Sequence, residues 1–448
     1  MIELRDKRVV VVGLGSSGVA AARLCLARGA AVTVTDSKDE AGVGPVVREL
    51  AGAGAELALG GHSRAHLERA DLIVVSPGVP SFPELARAEQ AGVPVIGEVE
   101  LSTRALQKDA PIVAVGGTNG KSTTTTLIGE ILEKQGLHVF VGGNLGEPLA
   151  AHADEPWDAI VLEVSSFQME RVQQFRPRVA LLLNITADHL DRYPDVNAYA
   201  DAKGNGFARQ TSEDVAIVPT DDPRCEQQAR RGAGRIVTFG PGGDLDVTHD
   251  DIVDRRSGAS WPLRNIALQG GHNARNAAAA LAAVAELGAG VELCREVLTT
   301  FRGLPHRMAL VRELEDVRFY DDSKGTNVGA SVTALLGLRE RRAVLIAGGR
   351  DKGGSYEPLV DALRTKGRAV VLIGEASARI AAVIGDAVPV HRVATLHDAV
   401  SLSRQLAAPG DAVLLSPACS SYDMFKDYKH RGDEFVREVQ SLGSGSRP

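Results

Sequence analysis

Residues 113–132 read VAVGGTNGKSTTTTLIGEIL, in which a turn of small residues leads into Lys-Ser-Thr and then an amphipathic stretch. Residues 117–122 would turn successive backbone N–H groups toward a polyphosphate. A helix opening near Lys121 would point its positive end at the same spot, and Lys121 adds a full charge. Gly116 precedes Gly120 by four positions, one fewer than in G-x-x-x-x-G-K-[ST]. The run Gly117, Thr118, Asn119, Gly120, Lys121, Ser122 and Thr123 still suits the phosphates of ATP, with the hydroxyl of Ser122 or Thr123 available to Mg²⁺.

Other clusters fall at expected strand ends. Gly13, Gly15 and Gly18 form G-x-G-x-x-G after an apolar run, with Ser16 inside the loop and Asp36 closing the next run. That pattern reports a helix N-terminus facing a diphosphate and is blind to what the diphosphate carries, so NAD and a UDP-linked substrate both fit. Ser76-Pro77-Gly78 would add small residues at the same edge. Glu163 heads EVSSFQ, a carboxylate suited to Mg²⁺, and NITADHLDRY follows from Asn184. Asp188 and His189 read as functional, whereas Lys203 on sequence grounds is a solvated lysine. Asn273 is the natural N-cap of the Ala-rich helix that follows, and Asn276 one turn on could read a base edge. DDSKGTN from Asp321, GGRDKGG from Gly348 and SPACSS from Ser416 place Lys, Thr and Ser where a small anionic substrate would bind. Cys419 lacks a nearby His and reads as a small buried thiol.

Elements that could position these groups alternate throughout, short apolar runs with helix-period stretches, as in parallel sheets covered by crossover helices. Three blocks are expected: 1–100, 101–303 and 304–448. Strands are expected at 8–12, 31–35, 72–75 and 93–96; at 159–164, 179–184 and 215–218; and at 317–321, 343–347, 369–373 and 412–415. Helices are expected at 197–209 and after His430. Hinges fit 99–111 and 301–305, and residues 443–448 read as a disordered tail.

The 448 residues carry a net charge of −7 without a dense basic stripe, which argues against nucleic acid. No run is long and apolar enough for a bilayer, residues 1–7 lack a signal-peptide core, and four scattered cysteines form no C-x-x-C. A cytoplasmic protein with reduced thiols and no membrane partner is expected.

Taken together, residues 117–123, 163–168, 188–193, 272–276, 304–307 and 322–327 resemble the Mur ligase family of ATP-dependent amide-forming enzymes in order and spacing. Within it, the loop at 13–18, DHLDRY and the run LSPACSSYDMFKDYKHRGDEF are similar to the branch that adds D-glutamate to UDP-N-acetylmuramoyl-L-alanine. The Asp-Asn-Pro-Arg signature of relatives that add lysine or diaminopimelate is absent.

The resemblance implies an α/β fold of three domains: a Rossmann-like N-terminal domain, a central P-loop-type ATPase domain with a mostly parallel sheet, and a Rossmann-like C-terminal domain. It implies that Lys121 and its loop bind ATP, that Ser122 and Glu163 serve one Mg²⁺, and that His189 and a carbamylated Lys203 serve a second. Asn273, Asn276 and Asp322 would hold adenine and ribose, and Arg307 the phosphates. Ser37, Lys38 and Gly78 would mark the uridine diphosphate site, with Asn144 and His189 toward the muramoyl-alanine end, and Gly15, Ser16, Ser165 and Gln168 would also face substrate. Lys324, Thr326, Lys352, Ser421 and Tyr428 would form the glutamate pocket. Ser37-Lys38 and Tyr428 depart from the family's Thr-Arg and Phe. A monomer is expected. Competing readings are a nicotinamide-dependent oxidoreductase, a non-catalytic nucleotide-binding scaffold, and a folylpolyglutamate synthase, which shares the central loop but not the first glycine cluster.

Overall fold

The computed structural model describes residues 2–190, 192–268, 270–351 and 355–443. Lys352, Asp191 and residues 444–448 of the expected tail lie outside them. Among the described residues the strands form three sheets.

The first sheet holds β1 (Arg8–Val12), β2 (Ala31–Asp36), β3 (Glu56–Leu59), β4 (Leu72–Val75) and β5 (Val95–Gly97) in the order β3-β2-β1-β4-β5, all parallel. β1 is buried on both faces, as a central parallel strand must be, and its Val-rich sequence supplies the β-branched packing this requires. The strand order reverses beside β1, so the loop after β1 lies at the edge where open α/β sheets bind ligands.

The second sheet comprises β6 (Ile112–Gly116), β7 (Val139–Gly143), β8 (Ala159–Glu163), β9 (Val179–Leu182), β10 (Val215–Pro219), β11 (Arg235–Gly240), β12 (Leu245–Val247), β13 (Asp251–Asp254) and β14 (Ser260–Pro262). Their order is β14-β13-β12-β11-β10-β9-β6-β8-β7, parallel except for the hairpin pairs β12–β13 and β13–β14. These last strands escaped the sequence reading because they are short and rich in Asp, so their apolar signal is weak.

In the third sheet, β15 (Ala309–Leu314), β16 (Val317–Asp321), β17 (Ala343–Gly348), β18 (Gly367–Ile373), β19 (Val390–Arg392) and β20 (Ala412–Leu415) run β15-β16-β20-β17-β18-β19. β15 alone pairs antiparallel. The three α/β sheets match the expected fold class.

The chain divides into two compact units: residues 2–185, 200–265 and 276–300 form one, and residues 186–199, 266–275 and 301–443 the other. The second unit resumes at Phe301, where a hinge is expected. The other expected hinge differs. Glu98–Ala105 is a helix inside the first unit, and its buried carboxylates tie the first two sheets' modules together. Glu98 Oε1 accepts Ala150 N–H at 2.8 Å, and Glu100 accepts the N–H groups of Gln173, Gln174 and Phe175 at 3.0–3.1 Å. Carboxylates buried on such donors resist separation, because opening would strip the donors of their acceptors.

Candidate active site

The phosphate loop is built by backbone. Gly117 (φ +143°) and Gly120 (φ +86°) take conformations that L side chains rarely adopt, and a Cβ at Gly120 would collide with Asn276 Oδ1. The helix Lys121–Lys134 starts at the expected point. Lys121 Nζ folds over the loop to the carbonyls of Gly117 and Thr118, at 3.0 and 2.8 Å.

Asn184, just past β9, holds the loop in shape: its Oδ1 accepts Asn119 N–H at 2.9 Å and its Nδ2 donates to Asn119 C=O at 3.0 Å. Sequence reasoning gave it no role, although an amide at the end of a neighbouring strand is the available signal. Lys203 is a correction. It is only 6% exposed, and its Nζ donates to Gly117 C=O at 2.9 Å, because the helix Val196–Gly204 turns that face inward.

Glu163 ends β8 and is 3% exposed. Oε1 accepts Asn144 Nδ2–H at 2.7 Å, whereas Oε2, and the hydroxyl of Thr123 in the helix that the phosphate loop opens, are buried without hydrogen-bond partners. Buried lone pairs left this way are costly, and hard oxygen donors suit Mg²⁺. Among the described residues no three His, Cys, Asp or Glu side chains cluster to hold a metal by themselves. That fits an ion taking one or two protein oxygens and the rest from phosphates and water. Ser165 and Gln168 form a capping box on the short helix Ser166–Met169, a structural use of two residues expected to face substrate.

At the first sheet, Gly13 (φ +85°) and Gly18 pack so closely that a Cβ on Gly18 would overlap the Gly13 carbonyl, which also accepts Ser76 Oγ–H at 2.7 Å. Asp36 Oδ2 accepts Leu14 N–H at 2.8 Å and Oδ1 accepts Lys38 N–H at 2.9 Å. One oxygen serves the glycine loop and the other the turn after β2, the carboxylate that the nicotinamide reading would set against a ribose. Gly15 and Ser16 open the helix Ser16–Ala27, Gly78 (φ +84°) follows β4, and Ser37 and Lys38 follow β2.

In the second unit, His189 (φ +54°) sits in a left-handed turn whose N–H goes to Asp188 Oδ1 at 3.0 Å. Asp188 Oδ2 accepts Asn327 Nδ2–H at 3.1 Å, and Asn327 caps the helix Val328–Gly337. The N-cap reading of Asn273 fails: the helix Gly271–Ala285 has already begun two residues earlier. His272 is held down to about 4 by burial and by Arg307, so it is neutral at pH 7. Asp322 is 3% exposed and accepts Ser416 Oγ–H at 2.7 Å; burial raises its carboxyl to about 6.

Lys324 Nζ lies 3.3 Å from the Tyr428 hydroxyl and 4.7 Å from the centre of its ring. Thr326 belongs to the same turn, and Ser421 is 2% exposed. Arg431, not singled out from sequence, is 1% exposed and donates to Ser323 Oγ, Ser323 C=O and Cys419 C=O, lacing two strand-end loops together. Cys419 is buried beside Tyr356, and burial raises its thiol to about 11, as befits an inert core thiol.

Two parallel sheets with glycine loops at their ligand edges and a third with a polar strand-end cluster define a modular α/β enzyme of nucleotide chemistry. Family models agree segment by segment. Residues 7–97 match the Mur ligase MurD-like N-terminal domain, 115–284 the Mur ligase middle domain, and 306–419 the Mur ligase glutamate ligase domain. The chain belongs to the Mur ligase family. It is 46% identical to the UDP-N-acetylmuramoylalanine--D-glutamate ligase of Trichlorobacter lovleyi, over 98% of this chain and 100% of that protein. A protein of the same name from Geobacter metallireducens is 45% identical, with 100% of both covered. Among solved structures, MurF ligase from Thermotoga maritima in complex with ADP aligns with TM-score 0.63 at 17% identity, covering 98% of this chain and 99% of that one. UDP-N-acetylmuramate-alanine ligase from Thermotoga maritima gives 0.59 at 20%, covering 97% and 99%. Those two likenesses concern the fold.

Proposed function

We infer that this chain is an ATP-dependent acid–amino-acid ligase that joins D-glutamate to UDP-N-acetylmuramoyl-L-alanine through an acyl phosphate, releasing ADP and phosphate, in peptidoglycan precursor synthesis. The observation that carries this reading is full-length identity of 42–46% to relatives named for that activity. The local geometry supports it with a lysine-bearing phosphate loop and a buried, half-unpaired carboxylate in one module.

A carboxylate resists amine attack, and phosphorylation gives it a good leaving group. Bringing it to a triphosphate sets like charges together, a repulsion of about 4 kcal/mol per charge pair at 4 Å for an effective dielectric near 20. Lys121 offsets this at the loop, and the N–H groups from Gly117 to Ser122 hold the phosphates in place. Mg²⁺, when bound, would neutralise phosphate charge; Ser122, Thr123 and Glu163 have the oxygens for it, and Asn144 fixes the carboxylate. His189 and Lys203 are proposed for a second ion, with Lys203 carbamylated so that an ammonium becomes an anionic oxygen donor.

Asn273, Asn276, Arg307 and Asp322 are assigned to the nucleotide. Ser37, Lys38 and Gly78 are assigned to the uridine diphosphate, Asn144 and His189 to the muramoyl-alanine end, and Gly15, Ser16, Ser165 and Gln168 to substrate. Lys324, Thr326, Ser421 and Tyr428 are assigned to D-glutamate, with Lys352 joining them from outside the described residues. The proposed boundaries are 1–100, 101–303 and 304–448, and the enzyme is proposed to work as a cytoplasmic monomer. Among the described residues no helix is long and apolar enough to cross a membrane.

The test is phosphate release from ATP with UDP-N-acetylmuramoyl-L-alanine and, in turn, D-glutamate, L-glutamate, lysine or no acceptor. Release coupled to a lengthened peptide with D-glutamate alone is expected. Absence of both ADP and product would overturn the reading.

A further inference from the structure

At the amino ends of the first sheet's strands, opposite the Gly13–Gly18 edge, lies a cavity of about 310 Å³. Its origin is topological. A parallel crossover normally carries a helix that covers the sheet. Residues 60–71, which join β3 to β4, instead form two single 3-10 turns, Ser63–Ala65 and Leu67–Arg69, with His66 (φ +48°) between them. Turns this short leave part of the sheet face uncovered.

The floor is apolar, made by Val10, Ala65 and Ala70, with Thr33 beside them; the rim carries the cations Arg64 and Arg69, with His66 between them in the chain. Arg8, also on the rim, is neutralised by a bidentate pair with Asp71. Arg64 donates to the Leu59 carbonyl, while the side chains of Arg69 and His66 make no hydrogen bond or ion pair among the described residues. One acid, Glu56, lines the far wall, where it accepts from Thr33 Oγ1 at 3.3 Å. Arg64 and Arg69 against Glu56 leave net positive charge over an apolar floor, in a chain whose total is −7.

We propose that this cavity is a second ligand site, separate from the catalytic edges, that takes a small aromatic anion, its ring on the Val10–Ala65–Ala70 floor and its phosphate or carboxylate between Arg64 and Arg69. The volume is that of a small-ligand pocket, and guanidinium groups pair best with planar oxyanions.

The probe is 1-naphthyl phosphate, followed by fluorescence anisotropy on the full chain saturated with UDP and ADP so that both glycine loops are filled. Binding that persists under saturation is expected, weakened about tenfold or more by Arg69→Gln and by Arg64→Gln, each losing a charge-assisted hydrogen bond. Two exposed sites are used so that the result does not hang on one variant's folding, which thermal melts check. No binding, displacement by UDP or ADP, or equal affinity in both folded variants would overturn the proposal.

Discussion

The two glycine loops of the first unit each lead from a strand into a helix, Gly15 capping one in an extended conformation and Gly120 the other in a left-handed one, and their electrostatics differ. After β1, the loop has no lysine, and its one carboxylate, Asp36, is consumed in accepting Leu14 and Lys38 N–H groups. After β6, the loop carries Lys121 and has Lys203 against Gly117, while Glu163 in the same module keeps a buried oxygen without a partner. A loop whose charges are internally satisfied suits a diphosphate that only has to be held. Two lysines held on the loop and a carboxylate oxygen without a hydrogen-bond partner suit a phosphoryl group that must move. The glycines are therefore common to both loops, and the charged neighbours separate their tasks.

The contrast breaks most sharply at Lys121. Lys121→Ala is expected to lower kcat by about 10³-fold in the phosphate-release assay while UDP-substrate binding stays normal; near-normal turnover would remove the loop's assigned role. Lys203→Arg is expected to cost about 10²-fold, since a guanidinium cannot carry a carbamate, and an unmodified Lys203 in a crystal of active enzyme would refute that chemistry.

Glu98 tests whether the two loops' modules act as one body. Burial raises its carboxyl to about 7. The folded form thus holds its proton more tightly than the unfolded chain. Its contribution is complete below the ordinary carboxylate range and is lost as pH climbs through about 7, an effect of roughly 3 kcal/mol. Glu98→Gln keeps the acceptor for Ala150 N–H and should flatten stability against pH between about 4.5 and 7; an unchanged slope in denaturant melts would contradict this.

Gly18→Ala is expected to destabilise the first module by up to about 3 kcal/mol and to raise KM for the UDP substrate, leaving ADP affinity unaltered. Equal damage to both ligands would show that the loops are not independent. Smallest is Asp36→Asn, at about 1.5 kcal/mol, because one of two backbone donors loses its acceptor. If it instead abolished UDP binding outright, Asp36 would have to touch ligand.

Much of this was legible early, for identifiable reasons. Apolar runs such as 8–12, 72–75 and 412–415 announce strands because central parallel strands must be apolar on both faces. Glycine with Lys-Ser announces the phosphate loop because few other residues permit that turn. What was illegible depended on contact. Lys203 read as solvated because helical position alone does not say which face is covered. Asn273 read as a cap because an asparagine before alanines cannot reveal that the helix begins at Gly271. Arg431 and Asn184 serve residues remote in sequence, and no local pattern encodes such partners.

By itself, then, the sequence determined the central strands, the succession of the three blocks and the chemistry each strand end could offer, since periodicity and residue type act over a few positions. Only the tertiary structure decided which charges are spent and which are spare. That distinction between Asp36 and Glu163 arises from what the folded chain brings within hydrogen-bonding distance.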